Sequence, residues 1–344
     1  MVVDPNGEAD FAFGYSLAIS GDFAMVTSLH PSPPRGYHWD GAAWQEFQTL
    51  TQANGDPISP QFVAMDGNTA ITDAAIFTYD DTSWTQHSGL TFGGNPVTDI
   101  SAVALDGVHA MIGDSSDTSL GQNAGAVMAF ELIAGTWQEV IKLTATDGGA
   151  NDWFGNGAVA IEGNYAIVGA FKKDNVHTEA GKAYVFKYDA GAWTEVQQLS
   201  ASNSFEYAWF GSSVSMSGDY AVIGQGQGNA AYVYYNNAGT WQEHEVLHSS
   251  LAQGGQLFGS DVAIDGDYVV VGARNAMVQT LYSGVVFVFQ NQAGSWQEKS
   301  VISAQTPGDV DFFGIRVAIS GDKFLVAATR EDTSAENAGA VYFY

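Results

Sequence analysis

Carboxylates are the most abundant charged side chains in this sequence and are the first candidates for binding or catalysis. It has 38 aspartates and glutamates, against 11 lysines and arginines. Acids in long connections between apolar runs are candidates for binding a partner. The five loop carboxylates are Asp114, Asp117, Asp174, Glu331 and Asp332. They favour a cationic or metal-bridged ligand whose binding weakens with salt. The alternative is that these loops are simply solvated and tolerant of change.

A second set of acids raises the question of a cation site. A loose Asp-rich pattern occupies other connections, at Asp147, Asp152, Asp309 and Asp311, and returns near the start of the chain at Asp4 and Asp10. Asp in such loops commonly caps its own backbone as an Asx turn. That interpretation is favoured, and structural Ca²⁺ is the alternative cofactor.

The tryptophans divide into a repeated set and three others. The repeated set recurs at regular intervals, at Trp44, Trp84, Trp137, Trp193, Trp241 and Trp296. One copy per repeat indicates a packing position. Trp39 lies outside that register, and Trp153 and Trp209 each precede a Phe-Gly pair. These three are therefore candidates for ligand contact.

No residue is assigned a catalytic role. Carboxylate pairs are expected by chance in so acidic a chain, and the seven histidines share no register. No Gly-x-Ser-x-Gly elbow, His-Glu-x-x-His motif or phosphate loop is found. The absence of cysteine excludes disulfides and thiolate metal sites.

The net charge of −27 argues against two classes of partner. Nucleic acids and anionic membranes require clustered Lys and Arg, which the sequence lacks. No apolar run approaches the roughly 20 residues of a membrane span, so membrane insertion is not expected. Residues 1–4 lack the basic start and apolar core of a signal peptide. This predicts a mature form or an excised domain.

The elements that position these residues follow from an internal repeat. Between residues 153 and 202, four short runs rich in Val, Ile, Tyr and Phe are separated by tight turns: Ala158–Ile161, Tyr165–Val168, Ala183–Phe186 and Trp193–Leu199. Such runs predict strands A to D of an antiparallel unit. The glycine of the A–B turn recurs at Gly21, Gly67, Gly107, Gly163, Gly218, Gly266 and Gly321. Four strands in a period of about 40–50 residues indicate a propeller blade.

We therefore predict an all-β, seven-bladed β-propeller that fills residues 1–344 as one domain. The expected blades are 11–57, 58–96, 97–152, 153–208, 209–256, 257–311 and 312–344 plus 1–10. The last blade ends at its strand C, so the N-terminal residues Val2 and Val3 are expected to supply its strand D and close the ring. Strand order puts the short A–B and C–D turns on one face. The long, variable D–A and B–C connections lie on the other, which we call the variable face.

The repeat resembles the FG-GAP repeat of integrin α subunits and bacterial surface proteins. The resemblance rests on Phe-Gly followed by a Gly-Ala element, as in Phe154-Gly155 with Gly169-Ala170 and in Phe258-Gly259 with Gly272-Ala273. It implies a seven-bladed propeller. Many integrin-type repeats carry an Asp-x-Asp-x-Asp-Gly calcium loop, but the A–B turns of this chain are too short to supply the six to eight oxygens that Ca²⁺ takes. The chain is nearer to the plainer bacterial repeat.

These observations favour a non-enzymatic binding or adhesion module, extracellular or at the cell surface, with a protein or glycan ligand on the variable face. Two alternatives remain. One is a structural or assembly domain of a larger surface protein or filament. The other is a hydrolase or lyase at the mouth of the central channel, which would need converging polar side chains there.

Overall fold

The computed structural model describes residues 1–3, 12–29, 32–56, 58, 60–73, 75–92, 95–96, 99–251 and 255–344. Seven four-stranded antiparallel sheets form the blades of a ring, as predicted. The blades are numbered along the chain and their strands are lettered A to D from the channel outward. Within the described residues, no helix combines the length and apolar character needed to cross a membrane.

The first four blades take their strands from consecutive stretches of the chain. Blades 1 and 2 contain β2 (Leu17–Ser20), β3 (Phe23–Val26), β4 (Arg35–Trp39), β5 (Trp44–Thr49), β6 (Val63–Asp66), β7 (Thr69–Thr72), β8 (Ala75–Tyr79) and β9 (Trp84–Gly89). A hairpin of β10 (Thr91–Phe92) and β11 (Asn95–Pro96) follows. Blades 3 and 4 contain β12 (Ala102–Asp106), β13 (His109–Asp114), β14 (Ala126–Ile133), β15 (Thr136–Leu143), β16 (Val159–Glu162), β17 (Tyr165–Ala170), β18 (Lys182–Asp189) and β19 (Ala192–Leu199).

The second half of the ring follows the same order. Blades 5 and 6 contain β20 (Phe210–Ser217), β21 (Tyr220–Gln225), β22 (Ala230–Asn237), β23 (Thr240–Leu247), β24 (Phe258–Asp265), β25 (Tyr268–Ala273), β26 (Val285–Gln292) and β27 (Ser295–Ile302). A 3₁₀ turn (Gly226–Gly228) joins β21 to β22. Blade 7 contains β28 (Arg316–Ser320), β29 (Lys323–Ala328), β30 (Ala340–Phe343) and β1 (Val2–Val3).

The N-terminal strand closes the ring, which confirms the predicted closure. Val2 pairs with Val341 and Val3 with Ala340. The last blade thereby gains its fourth strand from the other end of the chain. The edge of β30 is covered, and the seam has the same sheet order as the other blades.

The strands differ in burial in the way the propeller requires. Strand B is almost wholly buried, as in β17 and β25, and its sequences are nearly continuous Val, Ile and Ala. Strand D alternates between exposed and buried side chains, as in β19 and β23, because only one of its faces meets the neighbouring blade. The seven A strands line the central channel.

The tight-turn face is held by a ring of hydrogen bonds between blades. In every blade the N–H of the A–B turn glycine donates to a side chain at the end of strand A in the neighbouring blade. The acceptors, in ring order from blade 1, are Ser20, Asp66, Asp106, Glu162, Ser217, Asp265 and Ser320. Four of the seven are carboxylates, so part of the acidic composition serves the packing of the ring.

The Phe-Gly pairs bring neighbouring blades into backbone contact. Phe154, Phe210, Phe258 and Phe313 are buried in the core. The glycine that follows each of them has φ near +80° to +86°, a region that favours glycine. Its carbonyl reaches the preceding blade so closely that a Cβ added at Gly169 would lie 2.1 Å from the oxygen of Gly211. Both glycines of the motif are therefore required by blade packing.

The repeated strand D tryptophans pack between blades, as expected. The ring of Trp241 in blade 5 lies 5.8 Å from Tyr165 in blade 4, and Trp296 in blade 6 lies 5.5 Å from Tyr220 in blade 5. Trp241 and Trp296 are almost completely buried. They are unavailable to a ligand.

Candidate binding face and channel mouth

All five loop carboxylates have partners within the protein, and most of these partners lie in the same loop as the carboxylate. Asp114 accepts hydrogen bonds from the N–H and hydroxyl of Ser116, at 3.0 and 2.8 Å. Asp117 forms an ion pair with Lys142 at 2.5 Å. Burial raises the pKa of Asp114. Burial also acts to raise the pKa of Asp117, but the bonds from Lys142 and Ser119 outweigh it and lower that pKa.

The other three loop carboxylates also accept hydrogen bonds from nearby residues. Asp174 accepts from the N–H of Glu179 at 2.9 Å, and Asp332 accepts from the N–H of Asn337 at 2.7 Å. Glu331 is only 4% exposed and accepts from the N–H and hydroxyl of Thr333. The five loop carboxylates therefore lie in three separate B–C connections, of blades 3, 4 and 7, and each one caps backbone or pairs locally.

Two of the three candidate tryptophans share one aromatic neighbour. The rings of Trp153 and Trp209 lie 6.0 and 5.3 Å from that of Phe171. Lys172 Nζ stands 4.4 Å over Trp153, and the indole N–H of Trp209 donates to a carboxylate of the blade 4 loop at 3.1 Å. Both tryptophans belong to the variable face.

Trp39 lies elsewhere. It is the last residue of β4, where the chain turns into strand D, and it pairs directly with Trp44 with the rings 5.8 Å apart. C–D turns lie on the tight-turn face, so Trp39 cannot act with Trp153 and Trp209 in one site.

The candidate calcium ligands have protein partners. Asp147 accepts from Lys182 and from the Tyr184 hydroxyl, each at 2.8 Å, and Asp152 pairs with Lys173 at 2.9 Å. Asp309 and Asp311 accept from backbone N–H groups of Tyr282 and Gly308, at 3.0 and 2.6 Å. Both donors precede the aspartates in the chain, so these bonds differ from the Asx turns that the sequence favoured. Among the described residues, no three His, Asp or Glu side chains form a group able to hold a metal ion. Asp4 and Asp10 lie outside the described residues.

The channel mouth on the variable face holds a cavity that the sequence reasoning missed. It has a volume of about 750 Å³ and is lined by blades 1, 6 and 7. Arg274, Arg316 and Arg330 all line it, and the chain has only one other arginine, Arg35. We call this space the arginine cavity. A neighbouring depression of about 200 Å³ shares Arg274 and Arg316 and is also lined by Trp209.

The guanidiniums are positioned without carboxylate partners. Arg316 donates through Nε to the carbonyl of Tyr15 and through Nη1 to its neighbour Ile315, both at 3.1 Å. The guanidinium carbon of Arg330 lies 4.7 Å from the centre of the Phe312 ring. None of the three arginines forms an ion pair with a carboxylate of the described residues.

A single carboxylate lines the depression next to the arginine cavity. Asp261 lines the smaller depression with Arg274 and Arg316 and accepts from the N–H of Val317 at 2.7 Å. Burial raises the pKa of Asp261 to about 6, against the opposing effect of Arg316 and Arg274. Burial, and then the like charge of Arg316, lower the pKa of Arg274. Burial is the largest cause of both pKa shifts, because it disfavours the charged form of each group.

Comparison with known families identifies the repeat. The sequence model described as FG-GAP repeat matches residues 137–186, 193–234, 241–289 and 296–344, which together make up more than half of the chain. The chain belongs to the FG-GAP repeat family.

Solved structures similar to this FG-GAP propeller share its fold at low identity. U3-55K superposes with a TM-score of 0.64 at 12% identity, over 97% of this chain and 96% of that one. A candidate 6-phosphogluconolactonase from Bacteroides uniformis gives 0.56 at 15%, over 86% of each chain. Another from Bacteroides fragilis gives 0.58 at 13%, over 88% of this chain and 86% of that one. A search of curated proteins finds no match.

One sequence signal could have revealed the arginine cavity. In this FG-GAP propeller the residue after the Gly-Ala element of strand B faces the channel mouth. It is Phe171 in blade 4 and Arg274 in blade 6, and both line the smaller depression. Arginine at that position, in a chain with so few arginines, marks the mouth of the channel.

Proposed function

We propose that this FG-GAP propeller is a non-enzymatic binding module that presents its variable face to a protein or glycan ligand. The observation that carries the proposal is the contrast between the two faces. The tight-turn face is closed by short turns and by hydrogen bonds from blade to blade. The variable face carries long B–C loops around a cavity, and rigid scaffolds commonly place binding sites on such loops.

The lining of the channel mouth supports binding in preference to hydrolysis. A general acid–base mechanism on carboxylates needs two of them, or a carboxylate and a histidine, held in reach of one bond. Among the described residues that line the arginine cavity and its neighbouring depression, Asp261 is the one carboxylate, and none is a histidine. The proposal places the domain outside the cell or at its surface, in keeping with its resemblance to the repeats of surface proteins.

The absence of cysteine allows a direct test of the face. Val176 in the B–C loop of blade 4 and Val108 in the A–B turn of blade 3 are both exposed valines, at 78% and 45%. Each is changed to cysteine in a separate variant and coupled to a large polyethylene glycol. The labelled proteins are then screened on glycan and protein arrays beside the unmodified chain.

The expected result is loss of the array ligand with the adduct at Val176 and retention with the adduct at Val108. Retention with both adducts, or loss only with the Val108 adduct, would show that the variable face is not the binding face. Turnover of the bound array ligand would contradict the non-enzymatic assignment.

A further inference from the structure

We propose that the arginine cavity binds an acidic sugar, with its anionic group held by Arg274, Arg316 and Arg330. This inference rests on the proposed function and gives it a ligand class. It differs from the expectation drawn from the loop acids, which favoured a cationic ligand. The two expectations concern different groups: the loop carboxylates already have partners within the protein, whereas the arginines line a shared cavity.

The arginines need a counter-anion more than the loop acids need a cation. Arg274 and Arg316 are half-buried beside the channel, and removing a charge from water is costly unless it is paired. Among the described residues that line the arginine cavity and the neighbouring depression, Asp261 is the one carboxylate for three guanidiniums. A bound oxyanion would complete this arrangement.

Guanidinium chemistry selects the anionic group. Its planar fork matches carboxylate or phosphate oxygens through paired, charge-assisted hydrogen bonds. Arg316 uses Nε and Nη1 on backbone carbonyls, which fixes its plane and leaves Nη2 without a hydrogen bond to any described residue. Arg330 is held against Phe312. Both guanidiniums are therefore oriented before a ligand arrives, which lowers the entropy cost of binding.

The remainder of the lining suits a sugar body. Tyr15 and Phe312 supply aromatic surface, and Asn275 and Thr329 supply polar groups. Asp261, in the neighbouring depression, can accept hydrogen bonds from hydroxyls that extend into it. The volume of about 750 Å³ lies within the range of small-ligand sites. A sugar acid has the three features that this lining matches: an anionic group, hydroxyls and an apolar ring face.

The test is calorimetric titration of the intact chain with D-glucuronate, and with D-glucose as the neutral sugar of matching shape. Glucose 6-phosphate carries a phosphate on C6, the carbon that is the carboxylate of glucuronate, and acetate and inorganic phosphate supply the anion without the sugar. Binding of glucuronate or of glucose 6-phosphate, but not of glucose, is expected, and the stronger of the two identifies the anion. Equal binding of glucose, binding by the free anions as tight as by the sugars, or binding of neither sugar anion would overturn the proposal.

Two arginine variants locate the site. Arg274→Gln and Arg330→Gln should each lower the affinity for the sugar anion by about 10-fold or more, which is the scale of one charge-assisted hydrogen bond. Arg330 is exposed, so its loss should leave the fold intact. Arg35→Gln is the matched control: it removes the same charge from strand β4, where Arg35 pairs with Glu46 at 2.7 Å. Equal weakening by the control, or none in either cavity variant, would refute the site.

The outcomes separate this inference from the proposed function. In one outcome, the adduct at Val176 blocks the array ligand, but Arg274→Gln and Arg330→Gln do not affect its binding. The variable face would then remain the proposed binding face, and the proposal of an acidic sugar in the cavity would be refuted. Binding of glucuronate in the cavity, with an array ligand unaffected by the Val176 adduct, would show that the array ligand binds elsewhere than the variable face and would leave the cavity as a separate small-ligand site.

Discussion

Substitution of Gly169 by alanine tests how closely the blades are packed. The new Cβ would lie 2.1 Å from the carbonyl oxygen of Gly211 in the next blade and 2.8 Å from Cβ of Ala158. Non-bonded heavy atoms pack at about 3.5 Å, so blades 4 and 5 would have to separate by roughly 1.4 Å at this point. The closest obstacle is backbone, which cannot rotate away as a side chain can.

The separation would disturb a well-packed interface. Ile167, Val185, Phe210 and Ile223 form part of one buried cluster across blades 4 and 5. Overpacking of a core commonly costs about 1–3 kcal/mol. We expect the upper end of that range, near 3 kcal/mol, because two blades must move together.

The assay is urea denaturation followed by tryptophan fluorescence, with the midpoint compared at constant m-value. Gly226→Ala is the control, because the nearest atom to its added Cβ is the hydroxyl of Ser212 at 3.2 Å. It should change the free energy of unfolding by less than about 1 kcal/mol. Equal shifts in the two variants, or a change within about 0.5 kcal/mol for Gly169→Ala, would refute the close-packing account.

Three further predictions concern the seam, the loop acids and the channel carboxylate. Deleting residues 1–3 should expose the edge of β30, lower the melting temperature and cause self-association in light scattering; an unchanged monomer would contradict closure by β1. Changing all five loop carboxylates to Asn or Gln should preserve the fold by circular dichroism, because the amide oxygen still accepts the capping bonds; unfolding would show that charge itself is required. Asp261→Asn should raise the free energy of unfolding at pH 8 by at most about 3 kcal/mol, and the gain should shrink below pH 6 and vanish near pH 4 in a pH series of melting curves; a gain that does not depend on pH would show that Asp261 is not the titrating group.

The sign of the Asp261 prediction follows from its raised pKa. The folded chain holds this proton up to about pH 6, whereas the unfolded chain releases it near the ordinary value of 3.8. Stability from this group is therefore present at low pH and is lost as pH rises through 6. Asparagine cannot ionise, so it avoids the loss at high pH.

The repeat made the fold predictable from the sequence. In blade 4, the run predicted at Ala183–Phe186 extends to Lys182–Asp189, whereas Tyr165–Val168 and Trp193–Leu199 differ from the observed strands by at most two residues. Phe-Gly and the strand D tryptophans recur because every blade meets the same neighbour. A residue type that recurs at the same position in every blade makes the same packing contact between blades, and such contacts determine the fold.

The candidate site was less predictable, because a site depends on differences between blades. Arg274, Arg316 and Arg330 belong to blades 6 and 7 and share no motif, and only the ring brings them to one cavity. The lysines that pair with Asp147 and Asp152 likewise come from other strands or loops and were invisible to a pattern of aspartates. Spacing along the chain identified acids but could not identify their partners.

The net charge of −27 comes from acidic side chains that, in many cases, accept hydrogen bonds within the protein. Many acids are acceptors for backbone N–H groups, in the ring of A–B turns and again where Glu195, Glu243 and Glu298 cap the end of the neighbouring blade's strand D. A carboxylate in such a position strengthens a bond between blades without requiring a cation. The scarce basic residues are then the informative ones. Four of the seven lysines pair with described aspartates. Three of the four arginines, by contrast, form no ion pair with a described carboxylate and lie at the channel mouth, where we propose that a ligand supplies the opposite charge.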